Sequence, residues 1–436
     1  MAGAAARRMH RRTPRRRRAG VTMSLAATLR TAVANALATR FANPYGSPGI
    51  FGAFGKRAAA LMAVIAATFG APGSVGSALA AGPLDVRIGF VSPLSGDDAN
   101  YGRDLENGVQ LALDEANAQS LKIGDQTAHF VLVPLDDRAD PRLGVQAAAT
   151  LANQGVNAVV GHFNSGSAIP ASRIYESAGI PMISPAATNP VITSQGFANT
   201  FMVIANDAQN AGVAGAWAVD TMKAKRVAIV DDRSAFGQGE ADVFERTVRE
   251  HGGNVVAREF AEGPTNDFGP QLAKIKAADV DLLYFGGLAR QGAALVKQMK
   301  ARSMHAQFVG GGGVANADFT QAAGAAGEGA MAWEYGRPLA QLPEGPRFEQ
   351  AYKSRFGTSV LAYAPFGYDA AWAAIHAMVN AKSAQPDVYR SALKALSFDG
   401  VTGRIAFEAD GSLKNGTSTL WQVKKGVWVP LMTRGG

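Results

Sequence analysis

The stretch Gly161-His162-Phe163-Asn164-Ser165-Gly166-Ser167 comes directly after the short apolar run Asn157–Val160. A second polar stretch, Ser184–Pro190, comes directly after the apolar run Ile180–Ile183. Both polar stretches are rich in Gly, Ser, Thr and Asn, the residue types that favour turns and helix N-caps. The pattern predicts a buried strand, a polar loop and the start of a helix, twice in quick succession.

These two loops are candidates for a ligand site. In open α/β sheets, ligands lie outside the carboxyl ends of the strands, where helix N-termini present free backbone N–H groups. A hydroxyl such as that of Ser165 beside those N–H groups can hold a carboxylate, and Thr188 can add a second hydroxyl. The alternative interpretation is that both are ordinary loops whose polar side chains only cap helices.

Strands and helices alternate along the chain from Leu84 onward. The segment Asp85–Val91 predicts a first strand, and the segment after it carries a helical apolar stripe. The pattern restarts at the strand Arg226–Asp231, and Gly403–Phe407 begins a set of closing strands. Strands separated by helices indicate parallel βαβ units. The sequence therefore predicts an α/β fold with two doubly wound, parallel-sheet lobes, the second inserted into the first.

The composition is that of a globular protein with an unusual leader. The chain has 436 residues, of which 47% are hydrophobic and 18% are charged. Residues 1–81 hold 12 of the 43 Lys and Arg residues and no Asp or Glu, which explains the formal charge of +8. The remaining 31 basic residues face 35 acidic ones, so we expect no nucleic-acid binding by the folded part. The sequence contains no cysteine, which excludes disulfides and thiolate chemistry but allows export.

Residues 1–81 read as a basic leader followed by a secretory signal peptide. Two basic residues precede the apolar run Ala58–Phe69, and Ala78-x-Ala80 fits the small-x-small cleavage pattern. We expect cleavage near Ala80 and a periplasmic mature protein that begins at or near Ala81. A start codon assigned too far upstream would explain the long arginine-rich beginning. A genuine basic tail or an organelle-type leader is the alternative. No later stretch of about 18 apolar residues predicts a membrane span.

Several motifs, in order, resemble one family over nearly all of residues 84–431. The chain is similar to the leucine/isoleucine/valine-binding proteins, the periplasmic receptors of ABC-type amino-acid importers. The motifs are Val91–Gly96 with Tyr101-Gly102, Asp136–Pro141, Gly161-His162 with Ser165, Pro170–Ser172, Ile174-Tyr175, Pro181–Thr188, Ala228–Val230 and Gly313–Asn316. The resemblance implies a type I periplasmic binding fold, in which two lobes joined by three chain crossings close on a ligand.

The resemblance also implies where the lobes begin and end. We place the crossings near Asn206, Ala332 and Thr402. The expected parts are a leader over 1–81, an N-terminal lobe over 84–205 and 333–402, and a C-terminal lobe over 206–332 and 403–436.

The first lobe carries the carboxylate side of the implied ligand site. By resemblance, Ser165 holds the ligand carboxylate together with backbone N–H groups around Gly166. Ala186 offers its carbonyl and Thr188 its hydroxyl to the ligand amino group, and Tyr101 contacts the ligand from the first loop.

The second lobe departs from the family pattern. Phe236 stands where a tyrosine is usual, Leu288 replaces an aromatic residue, and Gly312 replaces the glutamate that pairs with the ligand ammonium. Arg138 and Asn164 occupy the positions of the family disulfide. The resemblance therefore implies an unchanged carboxylate side and a weakened ammonium side.

The residue at 312 bears on the ligand. A buried ammonium without an acidic partner costs several kcal/mol. Either Glu334 or an aspartate such as Asp231 supplies the acid, or the ligand lacks the ammonium. Because Gly312 and Leu288 are smaller than the residues they replace, we expect room for a bulkier or non-amino carboxylate and weak binding of leucine, isoleucine and valine. Arg290 is a candidate for recognising a second acidic group, with a solvated helix start as its alternative.

No catalytic, metal or cofactor pattern is present in the sequence. The six histidines form no H-x-x-x-H pair, so we expect no metal site. The glycine run 310–313 does not open a helix after a first strand, and no G-x-S-x-G elbow occurs. We therefore expect no cofactor, no catalytic residues and no enzymatic activity.

The function that these observations favour is solute capture. We expect an extracytoplasmic solute-binding protein, monomeric in solution, that delivers a branched-chain-amino-acid-like or related carboxylate ligand to an inner-membrane ABC permease. The alternative is a sensory ligand-binding module on the same fold, which reports an amide or carboxylate ligand to a regulator.

Overall fold

The computed structural model describes residues 82–261 and 265–435. The expected leader over 1–81 and its cleavage near Ala80 lie outside the described residues. The strands are, in chain order, β1 (Leu84–Ser92), β2 (Lys122–Ile123), β3 (Gln126–Asp136), β4 (Ala158–Gly161), β5 (Met182–Ser184), β6 (Thr200–Met202), β7 (Arg226–Asp231), β8 (Asn254–Phe260), β9 (Leu282–Gly286), β10 (Gln307–Gly310), β11 (Met331–Tyr335), β12 (Ser397–Gly400), β13 (Gly403–Ala406), β14 (Thr417–Lys424) and β15 (Val427–Gly435).

Helices connect these strands and cover both faces of the sheets. In chain order they are α1 (Ala99–Ala118), α2 (Pro141–Asn153), α3 (Ser165–Ala178), α4 (Val191–Ser194), α5 (Asp207–Asp220), α6 (Ala235–Glu250), α7 (Gly269–Ala277), α8 (Ala289–Ala301), α9 (Ala317–Ala323), α10 (Gly345–Phe356), α11 (Ala364–Ala381) and α12 (Pro386–Lys394). Two short 3₁₀ turns follow α9 and β11, at Gly324–Gly327 and Leu339–Gln341.

The first lobe is built on a six-stranded sheet in the order β2-β3-β1-β4-β5-β6. All neighbouring strands are parallel except β2 and β3. The central strands β4 and β5 are fully buried, as parallel strands covered by helices on both faces must be. Their carboxyl ends carry the two polar loops that the sequence singled out.

The second lobe is built on a seven-stranded sheet in the order β15-β14-β11-β10-β9-β7-β8. Strands β7 to β11 are parallel, and the closing strands β14 and β15 are antiparallel. The predicted fold of two doubly wound α/β lobes is confirmed.

Two segments close to the expected crossings have clear partners. β11 pairs in the second sheet as far as Tyr335, three residues beyond the crossing expected near Ala332. Ile405 and Leu413, which follow the crossing expected near Thr402, pack in the core of the first lobe. The amide of Met202 donates to the carbonyl of Gly411, which ties this segment to β6.

Buried carboxylates fix the helices that frame the cleft. Asp104, on α1, accepts hydrogen bonds from the backbone amides of residues 361 to 364 and from the Tyr352 hydroxyl, at 2.7–3.0 Å. These amides open α11. Asp369, on α11, accepts from the amides of Val401 and Thr402, both at 2.8 Å.

Candidate functional site

The N-terminus of α3 lies at the bottom of the cleft between the lobes. The N-cap residue Asn164 is extended, with φ −85° and ψ 132°, and its side chain makes no capping hydrogen bond. The first backbone N–H groups of a helix have no intrahelical partner. The hydroxyl of Ser165 accepts from the amide of Asn189 at 3.3 Å, so the two predicted loops meet there.

An aromatic wall stands beside this helix start. Tyr101 stacks on Phe163 with ring centroids 5.6 Å apart, and Tyr363 meets Phe163 edge-on at 5.1 Å. The Tyr101 hydroxyl accepts from Asn316 of the second lobe at 3.2 Å. Such a wall supplies apolar surface for a ligand body while its hydroxyls join the lobes.

The lobes are in contact across the cleft. Phe236 and Leu288, both from the second lobe and both partly buried, pack against the core of the first lobe. Ala186 is buried in the core of the first lobe, and a Cβ on Gly166 would lie 3.9 Å from the Cβ of Ala235 in the second lobe. The structure therefore gathers predicted residues from both lobes into one place.

Polar bonds reinforce this contact between the lobes. The side-chain amide of Asn100 donates to Asp318 at 2.7 Å, and that of Asn189 donates to the carbonyl of Ala235, also at 2.7 Å. The first bond joins the start of α1 to the start of α9, and the second joins the loop after β5 to the start of α6. The described state is thus a closed one.

The space expected beside Gly312 is filled. A Cβ at this position would lie 2.1 Å from Cε2 of the Tyr335 ring, so no side chain fits there in this arrangement. The amide of Gly312 donates to Glu240 Oε1 at 2.8 Å. The expectation of extra room at Gly312 is therefore wrong, because an aromatic ring from β11 occupies it.

Sequence reasoning missed a buried acidic cluster at the centre of the cleft. The Tyr335 hydroxyl lies 2.9 Å from Asp207 Oδ1, 3.1 Å from Glu240 Oε1 and 3.2 Å from the hydroxyl of Thr188. Asp207 and Glu240 are fully buried. One signal was available in the sequence, since Glu240 lies four residues before Phe244 and eight before Val248, on the buried stripe of α6.

Both buried carboxyl groups have pKa values above their usual range. Burial raises the pKa of Asp207 to about 7, and burial together with the charge of Asp207 raises the pKa of Glu240 well above its usual range. No ion pair within the described residues includes either group. A tyrosine hydroxyl donates one hydrogen bond, so it cannot satisfy two ionised carboxylates at once. The shortage of donors at the Tyr335 hydroxyl and the raised pKa values of the two acids therefore agree, because both favour the protonated form of a carboxyl group.

Comparison with known proteins identifies the family. A family model described as periplasmic binding protein matches residues 85–427. The chain belongs to the periplasmic binding protein family. This confirms the resemblance and makes the chain an extracytoplasmic solute-binding protein and not an enzyme.

Individual relatives agree. The Leu/Ile/Val-binding protein homolog 2 of Brucella abortus is 32% identical over 343 residues, which are 78% of this chain and 91% of that protein. The leucine-, isoleucine-, valine-, threonine-, and alanine-binding protein of Pseudomonas aeruginosa is 32% identical over 340 residues, covering 78% and 90%. The crystal structure of a leucine binding protein from Thermotoga maritima matches with a TM-score of 0.74 at 25% identity, covering 80% of this chain and 98% of that one.

The other candidate charges of this binding protein are engaged elsewhere. Glu334 accepts from the amides of Gly313 and Ala315 at 2.9 and 2.7 Å, so it stabilises the glycine-rich loop. Asp231 pairs with Arg258 at 2.8 Å. The Arg290 side chain is 58% exposed and lies 3.4 Å from Asp318, at the edge of the cleft. Of the acids proposed from the sequence to replace the one missing at 312, neither reaches the Tyr335 hydroxyl.

Two further properties complete the description of the binding protein. Across residues 82–261 and 265–435 the structure has no group of three or more histidines and acids placed to hold a metal ion. No helix within the same ranges is long and apolar enough to span a membrane.

The raised pKa values give a testable pH dependence. Asp207 is protonated in the folded protein up to its pKa of about 7, whereas its ordinary value is 3.8. Between these values the folded state binds more protons than the unfolded state, so the free energy of unfolding should fall as pH rises from about 5 to 7 and then level off. Glu334, with a pKa of about 7, acts in the same direction. Urea unfolding at pH 5, 6, 7 and 8 measures the slope. Asp207→Asn should flatten it, and an equal slope in that variant would contradict the assignment.

Proposed function

We propose that this binding protein is the periplasmic receptor of an ABC-type importer. It captures a small branched-chain-amino-acid-like or related carboxylate ligand between its lobes and delivers it to the inner-membrane permease. The leader directs export and is cleaved near Ala80, and the receptor acts as a monomer without nucleic-acid partners. The observation that carries this proposal is the uncapped N-terminus of α3 at the bottom of a cleft that both lobes enclose.

The cleft suits a carboxylate at this end. Ser165 is 1% exposed, so a carboxylate beside its hydroxyl meets N–H donors away from water. Oriented donors and the positive end of a helix dipole favour an anion, and the low dielectric strengthens the interaction. Tyr101 and Phe163 then offer apolar surface to the remainder of the ligand.

Closure of the two lobes on the ligand also gives the permease a change of shape to recognise. Phe236, Leu288 and Asn316 of the second lobe contact the first lobe in this closed state. A ligand that contacts both lobes binds the closed state better and therefore shifts the population towards it. A permease can distinguish closed from open receptor by this change in shape. The names of the relatives support amino acids or similar carboxylates as the solute, and nothing in the described residues favours the sensory alternative.

The experiment is a binding screen with one variant. Thermal-shift screening of the mature protein against amino acids and aliphatic or aromatic carboxylates should find a ligand, because binding to the folded state raises the melting temperature. Ser165→Ala should then lower the affinity about ten- to a hundredfold, since a hydrogen bond to a charged group contributes about 1.5–3 kcal/mol. Isothermal titration calorimetry measures this loss, and small-angle scattering should show a smaller radius of gyration at saturation.

Ser177→Ala provides the matched control. Ser177 lies on the same helix, and its hydroxyl donates only to the carbonyl of Arg173 near the surface. This variant should bind as the wild type does. Equal affinity of the Ser165→Ala variant would remove Ser165 from the site, and no response to any carboxylate would contradict the proposed function.

A further inference from the structure

A cavity separate from the cleft lies where the chain passes between the two sheets. Its volume is about 680 Å³, within the range of about 300–1,000 Å³ that small-molecule sites occupy. None of the described residues that line it belongs to the cleft site above. The cavity is therefore a second place in which a small molecule can be enclosed.

Three connecting segments of the chain border this cavity. Ala205 follows β6 of the first sheet, Arg337 follows β11 of the second sheet, and Lys414 precedes β14, with which the chain re-enters the second sheet. The amide of Gly336 donates to the carbonyl of Thr417 at 2.7 Å, so two of these segments are joined directly. A hinge motion of the lobes has to change the backbone of such segments, because they carry the chain from one sheet to the other. The same residues thus form the hinge and part of the cavity wall.

Positive charge is concentrated around the cavity. Its lining includes four basic residues and, within the part of the chain that the structure describes, no acidic one; the four are Arg337, Lys394, Arg404 and Lys414. The chain after residue 81 has 31 basic residues against 35 acidic ones, so its net charge is negative. A concave wall of one charge sign concentrates ions of the opposite sign. The cavity therefore attracts an anion, although the protein around it is acidic.

The basic side chains keep most of their hydrogen-bond donors available. Arg404 pairs with Asp399 at 3.0 Å, and this pair lies at the surface, with the side chains 59% and 83% exposed. The side chains of Arg337, Lys394 and Lys414 form no hydrogen bond or ion pair with any other residue of 82–261 and 265–435. An arginine offers a planar fork of N–H donors and a lysine offers three N–H donors, and both suit phosphate or carboxylate oxygens.

Apolar side chains line much of the remainder of the cavity. Leu396, Ile405 and Leu413 are buried and belong to the core of the first lobe, and Phe366 and Phe407 pack against that core. An inorganic ion leaves this apolar surface in contact with water. A molecule with an apolar body covers the surface and gains the hydrophobic contribution of its burial.

We propose that this cavity binds an organic dianion with an apolar body, and that this binding favours the closed arrangement of the lobes. Lys394 and Arg404 lie on α12 and β13, which pack on the first lobe, whereas Arg337 and Lys414 lie on the connecting segments. An anion that contacts both pairs ties the connecting segments to the first lobe in the positions that they have in the closed state. A ligand shifts the population towards the state that it binds better. The cavity is thus a regulatory site that acts on the hinge.

Three probes test the chemistry of the site. At about pH 8, 1-naphthyl phosphate carries an apolar body and two negative charges, whereas inorganic phosphate lacks the apolar body and 1-naphthol lacks the charge. Isothermal titration calorimetry of the mature protein should show one molecule of 1-naphthyl phosphate bound, at least about tenfold more tightly than either of the other probes.

A double variant tests the position of the site. Arg337→Gln together with Lys414→Gln should weaken the binding of 1-naphthyl phosphate by about tenfold or more, because two charge-assisted contacts are lost at a partly exposed site. Lys223→Gln together with Lys225→Gln is the matched control. These exposed lysines precede β7 and do not line the cavity, and their replacement changes the net charge by the same amount. The control should bind the probe as the wild type does.

Small-angle scattering tests the effect on closure. Saturating 1-naphthyl phosphate, with no other ligand present, should lower the radius of gyration of the mature wild type. At the same concentration it should change the radius of the Arg337→Gln, Lys414→Gln variant less, because less of that variant is occupied.

The outcomes separate the proposal from its alternatives. Binding that is weakened in the cavity variant and kept in the control, with a smaller radius of gyration, supports the proposal. No binding, equal binding of inorganic phosphate, or undiminished binding in the cavity variant overturns the proposed ligand class, and an unchanged or larger radius overturns the effect on closure. Binding that is lost in the Ser165→Ala variant instead places the probe in the cleft and also overturns the proposal. The receptor function depends on the cleft and stands in each of these cases.

Discussion

Replacing Asp104 with alanine is expected to lower the free energy of unfolding by about 4 kcal/mol, the upper range for a single substitution. The carboxylate of Asp104 accepts hydrogen bonds from four consecutive amides before and at the start of α11 and from the hydroxyl of Tyr352. Its removal leaves these buried donors without partners. Each hydrogen bond to a charged group contributes about 1.5–3 kcal/mol, although such contributions do not add fully.

A matched control lies on the same helix. Asp114 pairs with Arg355 at 2.9 Å, and both side chains are partly exposed. Exposed ion pairs contribute about 0–1 kcal/mol, so Asp114→Ala should have little effect. Urea unfolding monitored by circular dichroism measures both variants. Similar losses in the two would show that Asp104 stabilises the start of α11 no more than a surface charge does.

Replacing His162 with leucine is expected to lower the free energy of unfolding by about 3–5 kcal/mol. His162 lies between Asp137 and the Tyr175 hydroxyl at 3.1 Å from each, and all three side chains are fully buried. The substitution leaves a buried carboxylate without its partner. The effect should also reach the cleft, because His162 lies three residues before Ser165 in the same loop.

A second pair in the same lobe provides the control. His129 and Asp85 lie 3.0 Å apart, but their side chains are 55% and 72% exposed. His129→Leu should change the free energy of unfolding by less than about 1 kcal/mol. Replacing both Asp137 and His162 with leucine should cost less than the sum of the two single changes, because no unpaired charge remains buried. Fully additive losses would contradict this account.

Most of the fold was predictable because its central strands are long apolar runs between clear turn signals. β1 and β7 are buried along most of their length. The alternation of such strands with helices then indicates parallel βαβ units. The three-residue strand β6 was missed. The crossings near Asn206, Ala332 and Thr402 stay predictions, because the sequence does not show which sheet an edge segment joins.

The candidate site was predictable only where polar residues follow strands. Ser165 and Thr188 do so, and the hydroxyl of Ser165 accepts from the amide of Asn189, the residue directly after Thr188. Glu240 and Tyr335 lie on a helix and at the end of a strand whose local patterns gave them no functional meaning. Their importance arises from contacts across 95 residues of chain, which no local period reports.

The glycines opposite Tyr335 restrict how such a site can change during evolution. A Cβ at Gly311 would lie 2.1 Å from Glu240 Oε2, and one at Gly312 would lie 2.1 Å from the Tyr335 ring. An acid cannot be introduced at 312 while this ring is in place, and removing the ring first leaves a void beside two buried carboxylates. An acid can therefore stand in this cleft either at position 240 or at position 312. Passing from the first arrangement to the second requires an acid at 312 and loss of the ring at 335, and each of these changes alone is harmful. A lineage that has adopted one solution is held in it, and conversion in the laboratory has to alter positions 312 and 335 together.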